Sequence, residues 1–318
     1  MTLEIGNTSV TPFAVAICVG PEPAELERVS DLIESLRAYD APKYFVMVDD
    51  SKQMRSLENQ FDFPAGCKAV SVQHPKHRWP EKSARSRKGR GICAAVQSAM
   101  QWIAQHAQDV NYVLKLDTDA LIIAPFADKI AKVFAEHPAV GNLGAYDFTP
   151  NGDPRDISKN GATVEALSHV PSVTAWVKGM VIKDERSTIR DHISMALDHG
   201  YVFGEHCLGG AYALNIELLK RMLIYGYLSD ESLWLPIDCP EDVMMGMYTK
   251  AAGMQMKGYV ADGEAFGVRH KGLPDSLPRL VERGFSVIHS TKDYGHVTEL
   301  QIREYFKQRR DEVLSQAG

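Results

Sequence analysis

Residues 111–123 read NYVLKLDTDALII, an apolar run that is interrupted by Asp117 and Asp119 and then resumes. A short apolar run of this kind predicts a buried strand. Alternate side chains of an extended strand face one side, so the two carboxylates would lie about 6–7 Å apart at the backbone and repel by roughly 2–3 kcal/mol. A buried strand end tolerates that repulsion only if a proton or a cation lies between the carboxylates. The alternative is a solvated turn after the strand.

Strand and helix patterns alternate around this stretch. Apolar runs predict further strands at 13–20, 44–51 and 68–72. Helices are predicted at 22–38, 91–107 and 125–137. Pro125 would lie in the first turn of the third helix. The pattern predicts an α/β fold, a Rossmann-like three-layer α/β/α sandwich with a mostly parallel central sheet. Asp117 and Asp119 would lie at the carboxyl end of a strand, where such sheets bind ligands, and their oxygens suit Mg²⁺ or Mn²⁺.

The length of 318 residues allows one large α/β domain, and we expect a single domain over 1–318. The strand–helix rhythm of 12–147 breaks at 148–200, where a turn-rich segment precedes a helix at about 185–198. That region is interpreted as an insertion or small lobe. The rhythm returns in 201–296, and 297–318 is predicted to form a C-terminal amphipathic helix.

The composition and the distribution of apolar residues argue against several classes of protein. A net charge of −6 argues against a nucleic-acid-binding protein, whose surface would be basic. The first residues lack the pattern of a signal peptide, and no apolar run approaches the roughly 18 residues of a membrane span. Five cysteines without a CxxC pair indicate reduced thiols. We therefore expect a cytoplasmic protein without an integral membrane segment.

Two groups of charged residues precede the Asp117–Asp119 pair. Asp49 and Asp50 end the predicted strand 44–51 and could accept hydrogen bonds from a ribose or a base, although Asp50 could instead cap a helix. The segment 74–91, HPKHRWPEKSARSRKGRG, holds seven Lys or Arg residues against one Glu. A basic loop before a helix suits a diphosphate, and the alternative is a solvated charged surface.

A third group, Glu241 and Asp242, lies in the segment CPEDVMMG. Acids at a helix N-terminus interact favourably with the helix dipole, which is a sufficient structural reason for them. The functional interpretation is that one of the two carboxylates faces a cleft as a general base.

Together these motifs resemble the GT-A-fold glycosyltransferases, which use nucleotide-sugar donors. Asp117-Thr118-Asp119 is similar to the metal-binding DxD motif, and His289 in VIHSTKDYG is similar to the late metal-ligand histidine. GGAYALN at 209–215 resembles the glycine-rich acceptor-side segment, and PEDVMMG resembles the xED motif. The GGAYAL and PEDV segments resemble in particular the fringe-like β1,3-glycosyltransferases. The resemblance covers about 12–295, but 148–200 matches nothing in the family.

The resemblance implies a metal-dependent glycosyltransferase that moves a sugar from a nucleoside-diphosphate donor, most often a UDP-sugar in the family, to an acceptor hydroxyl with inversion. The segment 12–147 would bind the nucleotide sugar, and 201–296 would be the acceptor-side and catalytic half. Asp117, Asp119 and His289 would hold Mn²⁺ or Mg²⁺. The acceptor, whether glycan, lipid or protein, stays open.

The resemblance also implies roles for the remaining motif residues. Asp242 would act as the general base, with Glu241 as its rival. Gly209 and Gly210 would let the backbone pass close to the sugar. The diphosphate contacts are assigned to Lys292, Arg87 and Arg90.

Three other functions are compatible with parts of the sequence. A nucleotidyltransferase would need a glycine-rich nucleotide loop with a basic residue near the N-terminus, and CVGPEPAELE offers neither. A phosphatase of the haloacid-dehalogenase type also uses a DxD motif, but there the motif follows the first strand of the domain. The non-enzymatic alternative is a sugar-nucleotide-binding protein.

Overall fold

The computed structural model describes residues 11–84, 91–169 and 185–317. The strands within them are β1 Phe13–Val19, β2 Tyr44–Asp49, β3 Lys68–Gln73, β4 Tyr112–Leu116, β5 Leu121–Ile122, β6 Val140–Gly144, β7 Ala211–Asn215, β8 Gln255–Gly258, β9 Phe266–Val268 and β10 Val287–His289. Seven of these strands form the central sheet in the order β3-β2-β1-β4-β7-β6-β8. Strand β7 is antiparallel to both of its neighbours, and the other pairs are parallel.

Helices cover the central sheet on both sides. Those within the described residues are α1 Pro23–Tyr39, α2 Pro75–Arg78, α3 Pro80–Ser83, α4 Ile92–His106, α5 Ala127–Glu136, α6 Ser158–Ser168, α7 Glu185–Asp198, α8 Ile216–Ile224, α9 Glu241–Ala251, α10 Leu277–Glu282 and α11 Glu299–Ala317. A short 3-10 helix spans Leu57–Asn59.

The alternation of side chains along β1 shows how the layers are built. Ala14 and Ala16 pack in a core that α4, α7, α8 and α9 complete. Phe13, Val15 and Ile17 point the other way, into a core shared with α1 and α5. Period-two alternation thus buries both faces of the strand, as a parallel sheet between two helical layers requires. The predicted fold class, a three-layer α/β/α sandwich with a mostly parallel sheet, is confirmed.

A second, three-stranded sheet in the order β5-β10-β9 brings a distant segment to the end of β4. Strand β10 pairs antiparallel with β5, and Thr291 N then donates to the Asp119 carbonyl oxygen over 2.9 Å. Strand β10 ends at His289. The small sheet therefore places His289 beside the turn that follows β4.

Two local expectations were wrong. Asp117 and Asp119 do not lie in an extended strand, because β4 ends at Leu116 and Ala120 N donates to the Asp117 carbonyl oxygen over 3.0 Å, which closes a turn. Pro125 lies before α5 rather than in its first turn. The Asp40 carboxylate caps that helix instead, by accepting from the backbone N–H groups of Phe126 and Ala127 over 2.5 and 3.0 Å.

The region 148–200 is described for 148–169 and 185–200, where α6 and α7 pack on each other and α7 packs on α9. Among the described residues, none of the helices combines the length and apolar character that crossing a membrane requires. All five cysteines are free thiols, as their spacing predicted.

Candidate functional site

A cleft of about 720 Å³ lies where β4, β7, β10 and α9 meet. The predicted site residues that line it are Asp117, Asp119, Gly209, Gly210, Glu241, Asp242, His289 and Lys292. A cavity of about 800 Å³ lies beside β8, at one edge of the sheet, and its lining includes none of these residues. The predicted site residues therefore lie together in the cleft, at the centre of the sheet.

Three of the predicted side chains converge on one point of the cleft. Single ligand atoms of Asp117, Asp119 and His289 all lie within 4.8 Å of one another. His289 Nε2 is 3.7 Å from an Asp117 oxygen and 3.4 Å from an Asp119 oxygen. Two carboxylates and an imidazole at this spacing fit a divalent cation.

The orientation of His289 supports the same interpretation. Its Nδ1 lies 2.8 Å from the carbonyl oxygen of Arg269, which can only accept, so Nδ1 is the protonated nitrogen. The lone pair of Nε2 in the neutral ring then points at the two carboxylates. A histidine that is fixed through its far nitrogen in this way is the usual form of a metal ligand.

The Asp119 carboxylate is 4% exposed and is held in its charged form. Burial alone would raise its pKa, but His289, the Ser290 hydroxyl at 2.5 Å and Lys292 at 3.5 Å outweigh burial and hold the pKa of Asp119 well below its usual range. Asp117 is 40% exposed and faces the cleft. One ligand oxygen is thus supplied from the protein interior and one from the cleft wall.

Lys115 is a site residue that the sequence analysis missed. This side chain is 1% exposed on β4, and its Nζ donates to Asp117 Oδ1 at 2.6 Å, to the Gly209 carbonyl oxygen at 2.6 Å and to Glu241 Oε1 at 2.5 Å. Burial alone would lower the pKa of Lys115, but Asp117 and Glu241 outweigh it, so the ammonium stays charged. The signal in the sequence was a lysine inside the apolar run YVLKL, two residues before Asp117.

Two consecutive glycines separate the metal-binding side chains from the acids of α9. A Cβ atom at Gly210 would lie 2.1 Å from His289 Nδ1, and one at Gly209 would lie 2.9 Å from Glu241 Oε1. Neither position has room for a side chain. Because consecutive Cα atoms are about 3.8 Å apart, the two groups face each other across a single peptide unit.

The two acids at the start of α9 have different surroundings. Glu241 accepts from Lys115 and, at 3.2 Å, from the Tyr212 hydroxyl, and burial raises the pKa of Glu241 above its usual range although Lys115 opposes this rise. Asp242 accepts from the backbone N–H groups of Gly209 and Val243, each at 2.9 Å. Glu241 is tied to other side chains, whereas Asp242 is held by backbone.

Asp242 is backed by two further residues that the sequence analysis missed. His206 Nε2 lies 3.5 Å from Asp242 Oδ2, and Arg155 Nη2 lies 2.7 Å from the same nitrogen. Arg155 comes from the region 148–200, which matched no known motif. No local pattern in the sequence marks either residue, because their contacts depend on how that region folds back.

Asp49 and Asp50 do not line the cleft. Asp49 is 0% exposed and accepts from the Arg55 side chain and from the backbone N–H groups of Ser51 and Arg55. Asp50 pairs with Lys76 at 2.5 Å and lies 3.4 Å from His77. Both carboxylates are therefore engaged within the protein. Arg87 and Arg90 lie outside the described residues.

No protein-family model matches the sequence, and no curated protein matches it. The solved structures with a similar arrangement of the chain include the following three. Core-mannan synthase A from Aspergillus fumigatus in its Mn/GDP form is 10% identical with a TM-score of 0.44, over 80% of this chain and 74% of that one. The galactosyltransferase LgtC, in complex with donor and acceptor sugar analogs, is 11% identical with a TM-score of 0.44, over 94% and 95%.

The bifunctional glycosyltransferase WbbM in its apo form is 12% identical with a TM-score of 0.46. The match covers 99% of this chain and 53% of WbbM, so the chain spans about half the length of that protein. All three structures belong to glycosyltransferases, the class that the sequence motifs resemble. At these identities and TM-scores, the function has to be argued from the chain's own site.

Proposed function

We propose that the protein is a metal-dependent glycosyltransferase that moves a sugar from a nucleoside-diphosphate donor, a UDP-sugar, to an acceptor hydroxyl. One observation carries this proposal. The cluster of Asp117, Asp119 and His289 faces the acids Glu241 and Asp242 across a single pair of glycines in one cleft. Glycosyl transfer needs a countercharge for the leaving diphosphate and a base for the attacking hydroxyl within the length of one sugar.

The residues present fit a divalent ion. Two carboxylate oxygens and one imidazole nitrogen lie close enough to share one cation, and Arg269 orients the histidine. A bound Mn²⁺ or Mg²⁺ would supply positive charge against the oxygens of the leaving diphosphate. The protein adds Lys292, which is 51% exposed and lies 3.5 Å from Asp119, as a cation at the same side of the cleft. We assign Arg87 and Arg90 to the diphosphate as well, on the basic character of their segment.

Asp242 is the general base in this proposal. Its two backbone donors fix the carboxylate at the cleft wall, and a carboxylate has further lone pairs for an acceptor hydroxyl. Glu241 suits the role less well, because Lys115 and Tyr212 hold both of its oxygens. A base on the side of the glycines opposite to the phosphate-binding residues matches an inverting displacement.

The domain roles follow from the same arrangement. We assign 12–147, which carries Asp117 and Asp119, to the donor, and 201–296, which carries Gly209 and Asp242, to the acceptor and the base. Asp49 and Asp50 have no part in the proposed site, because internal cations already neutralise them.

A thermal-shift screen of nucleotide sugars with and without Mn²⁺ tests the proposal. We expect stabilisation by one donor that depends on the metal, because a ligand stabilises only the state that binds it. Transfer to water or to an added acceptor should then release the nucleoside diphosphate, and NMR of the product should show inversion at the anomeric carbon. Stabilisation by no nucleotide sugar would contradict the proposal. Release of pyrophosphate would instead indicate a nucleotidyltransferase, and phosphate release from an aryl phosphate would indicate a phosphatase.

A further inference from the structure

Lys115 occupies an unusual position for a cation. Its ammonium group is buried beside Asp117, which is one of the three side chains that converge as metal ligands. A carboxylate spans about 2 Å and a metal–oxygen bond is about 2 Å long, so an ion held by Asp117 would lie within about 7 Å of Lys115 Nζ. The protein has therefore placed a permanent positive charge next to a site that binds positive charge.

The contacts of Lys115 connect three segments whose relative positions the proposed reaction requires to be fixed. Nζ reaches Asp117 after β4, the Gly209 carbonyl oxygen before β7, and Glu241 at the first turn of α9. Each of the three ammonium hydrogens thus has one acceptor. Since Asp242 follows Glu241 directly, the position of the proposed base depends on this connection.

We propose that Lys115 is a positioning residue with two linked effects: it weakens metal binding by direct repulsion, and it holds the metal ligand Asp117 at a fixed distance from the acids of α9. The inference rests on the proposed function. It predicts that the two effects separate when the ammonium group is removed, because affinity for the ion improves while the geometry for transfer deteriorates. Loosened packing alone would damage both.

The magnitudes follow from general rules. A unit charge within about 7 Å of a divalent ion changes its affinity about tenfold even when the dielectric constant is that of water. A displacement of about 1 Å in a catalytic group can cost about 100-fold in rate. Lys115→Met keeps an unbranched side chain that is one atom shorter, and it removes the ammonium group together with its charge and its hydrogen bonds.

The first experiment measures Mn²⁺ binding to the donor-free protein by the EPR signal of the free ion. Lys115→Met should bind Mn²⁺ about tenfold more tightly than the unchanged protein. At saturating Mn²⁺ and donor, the same variant should show a kcat about 100-fold lower. Unchanged or weaker Mn²⁺ binding overturns the electrostatic part of the inference, and an unchanged kcat overturns the positioning part.

A second pair of variants protects the test against misfolding, since Lys115→Met leaves Glu241 without its buried countercharge. In Glu241→Gln the metal site has one negative charge fewer, and in the double variant with Lys115→Met the charge balance is restored. The step from Glu241→Gln to the double variant should again tighten Mn²⁺ binding about tenfold. If it does not, the inference fails in this background too.

The outcomes distinguish the inference from the proposed function. If the unchanged protein binds no Mn²⁺, both fail together. If it binds Mn²⁺ and transfers a sugar, but Mn²⁺ affinity does not respond to the charge at position 115, only the role of Lys115 is wrong.

Discussion

Two pairs of acids lie at the ends of two strands of the same sheet, and the side chains that surround the two pairs differ. Strands β2 and β4 flank β1, and their carboxyl ends carry Asp49 with Asp50 and Asp117 with Asp119. The first pair is neutralised by basic side chains of the protein. In the second pair, oxygens of both carboxylates face the same imidazole nitrogen.

Both pairs contact basic side chains, but only Asp117 and Asp119 also share one imidazole nitrogen, that of His289. Arg55 donates hydrogen bonds to Asp49. Burial alone would raise the pKa of Asp49, but these hydrogen bonds outweigh burial and hold the pKa below its usual value. The Nδ1–H group of His289 donates a hydrogen bond to the Arg269 carbonyl oxygen. Its Nε2 can therefore donate to Asp117 or Asp119 only if the ring carries a second proton. Burial opposes that charge, but the Asp119 carboxylate outweighs burial and raises the pKa of His289. A divalent ion would take the place of that proton, since metal binding to histidine releases protons.

The largest effect is expected from Asp119→Asn. Removing this charge should abolish tight metal binding and lower the rate of sugar transfer by about 10³-fold or more, because the ion is worth several kcal/mol to the departing diphosphate. The measurements are Mn²⁺ affinity and kcat/KM for the donor. Asp62→Asn, at an 89% exposed side chain, is the matched control. If Asp119→Asn keeps Mn²⁺ affinity and activity, Asp117 and Asp119 do not bind the metal, as we expect for Asp49 and Asp50.

Asp49→Asn should produce the reverse result. Asp49 is fully buried against Arg55, and removing one partner of such a pair should lower the free energy of unfolding by about 3 kcal/mol, because the Arg55 side chain is 18% exposed. Urea denaturation of the metal-free protein measures this loss. Mn²⁺ affinity should remain within about twofold of the unchanged protein, because an ion at Asp119 makes no contact with Asp49. A large loss of Mn²⁺ affinity would mean that the two strand ends act as one site.

Adding and removing the metal distinguishes the roles of the two acid pairs. Mn²⁺ at about 100 times its dissociation constant should stabilise the protein by about 2.7 kcal/mol, and EDTA should reverse the effect. The same stabilisation should appear in Asp49→Asn and be absent in Asp119→Asn. Thermal denaturation of the three proteins side by side is sufficient. An equal response in all three would place the ion elsewhere.

The sequence was sufficient for those features that depend on neighbours along the chain. Apolar periodicity located strands β1 to β4 and the helices α1, α4, α5, α7 and α11, and the acids after β4 and the histidine that ends β10 were recognisable motif residues. Strands β6, β8 and β9 went unpredicted, because each is short and contains glycine, which weakens the strand pattern.

Features that depend on distant partners could not be predicted in this way. Asp40 caps α5 from 86 residues away, and Lys115 meets Glu241 across 126 residues. Even Arg55, only six residues from Asp49, reaches it through a loop that has no regular pattern. The sequence therefore identified which acids were unusual but not which basic side chain each of them contacts.

The smallest effect, and the most local test of the second pair, is Gly210→Ala. A Cβ atom there would lie 2.1 Å from His289 Nδ1, so the imidazole would have to move away from Asp117 and Asp119. We expect Mn²⁺ affinity to fall about 10–100-fold, the usual cost of disturbing the support of a metal ligand. Gly258→Ala is the matched control, because a Cβ atom there meets nothing within 4 Å. Neither glycine has a positive φ, so the backbone accepts alanine at both positions and the two variants differ only in what the methyl group meets. Full Mn²⁺ affinity in Gly210→Ala would show that the ion does not need His289 in this position, and the contrast between the two acid pairs would then rest on the carboxylates alone.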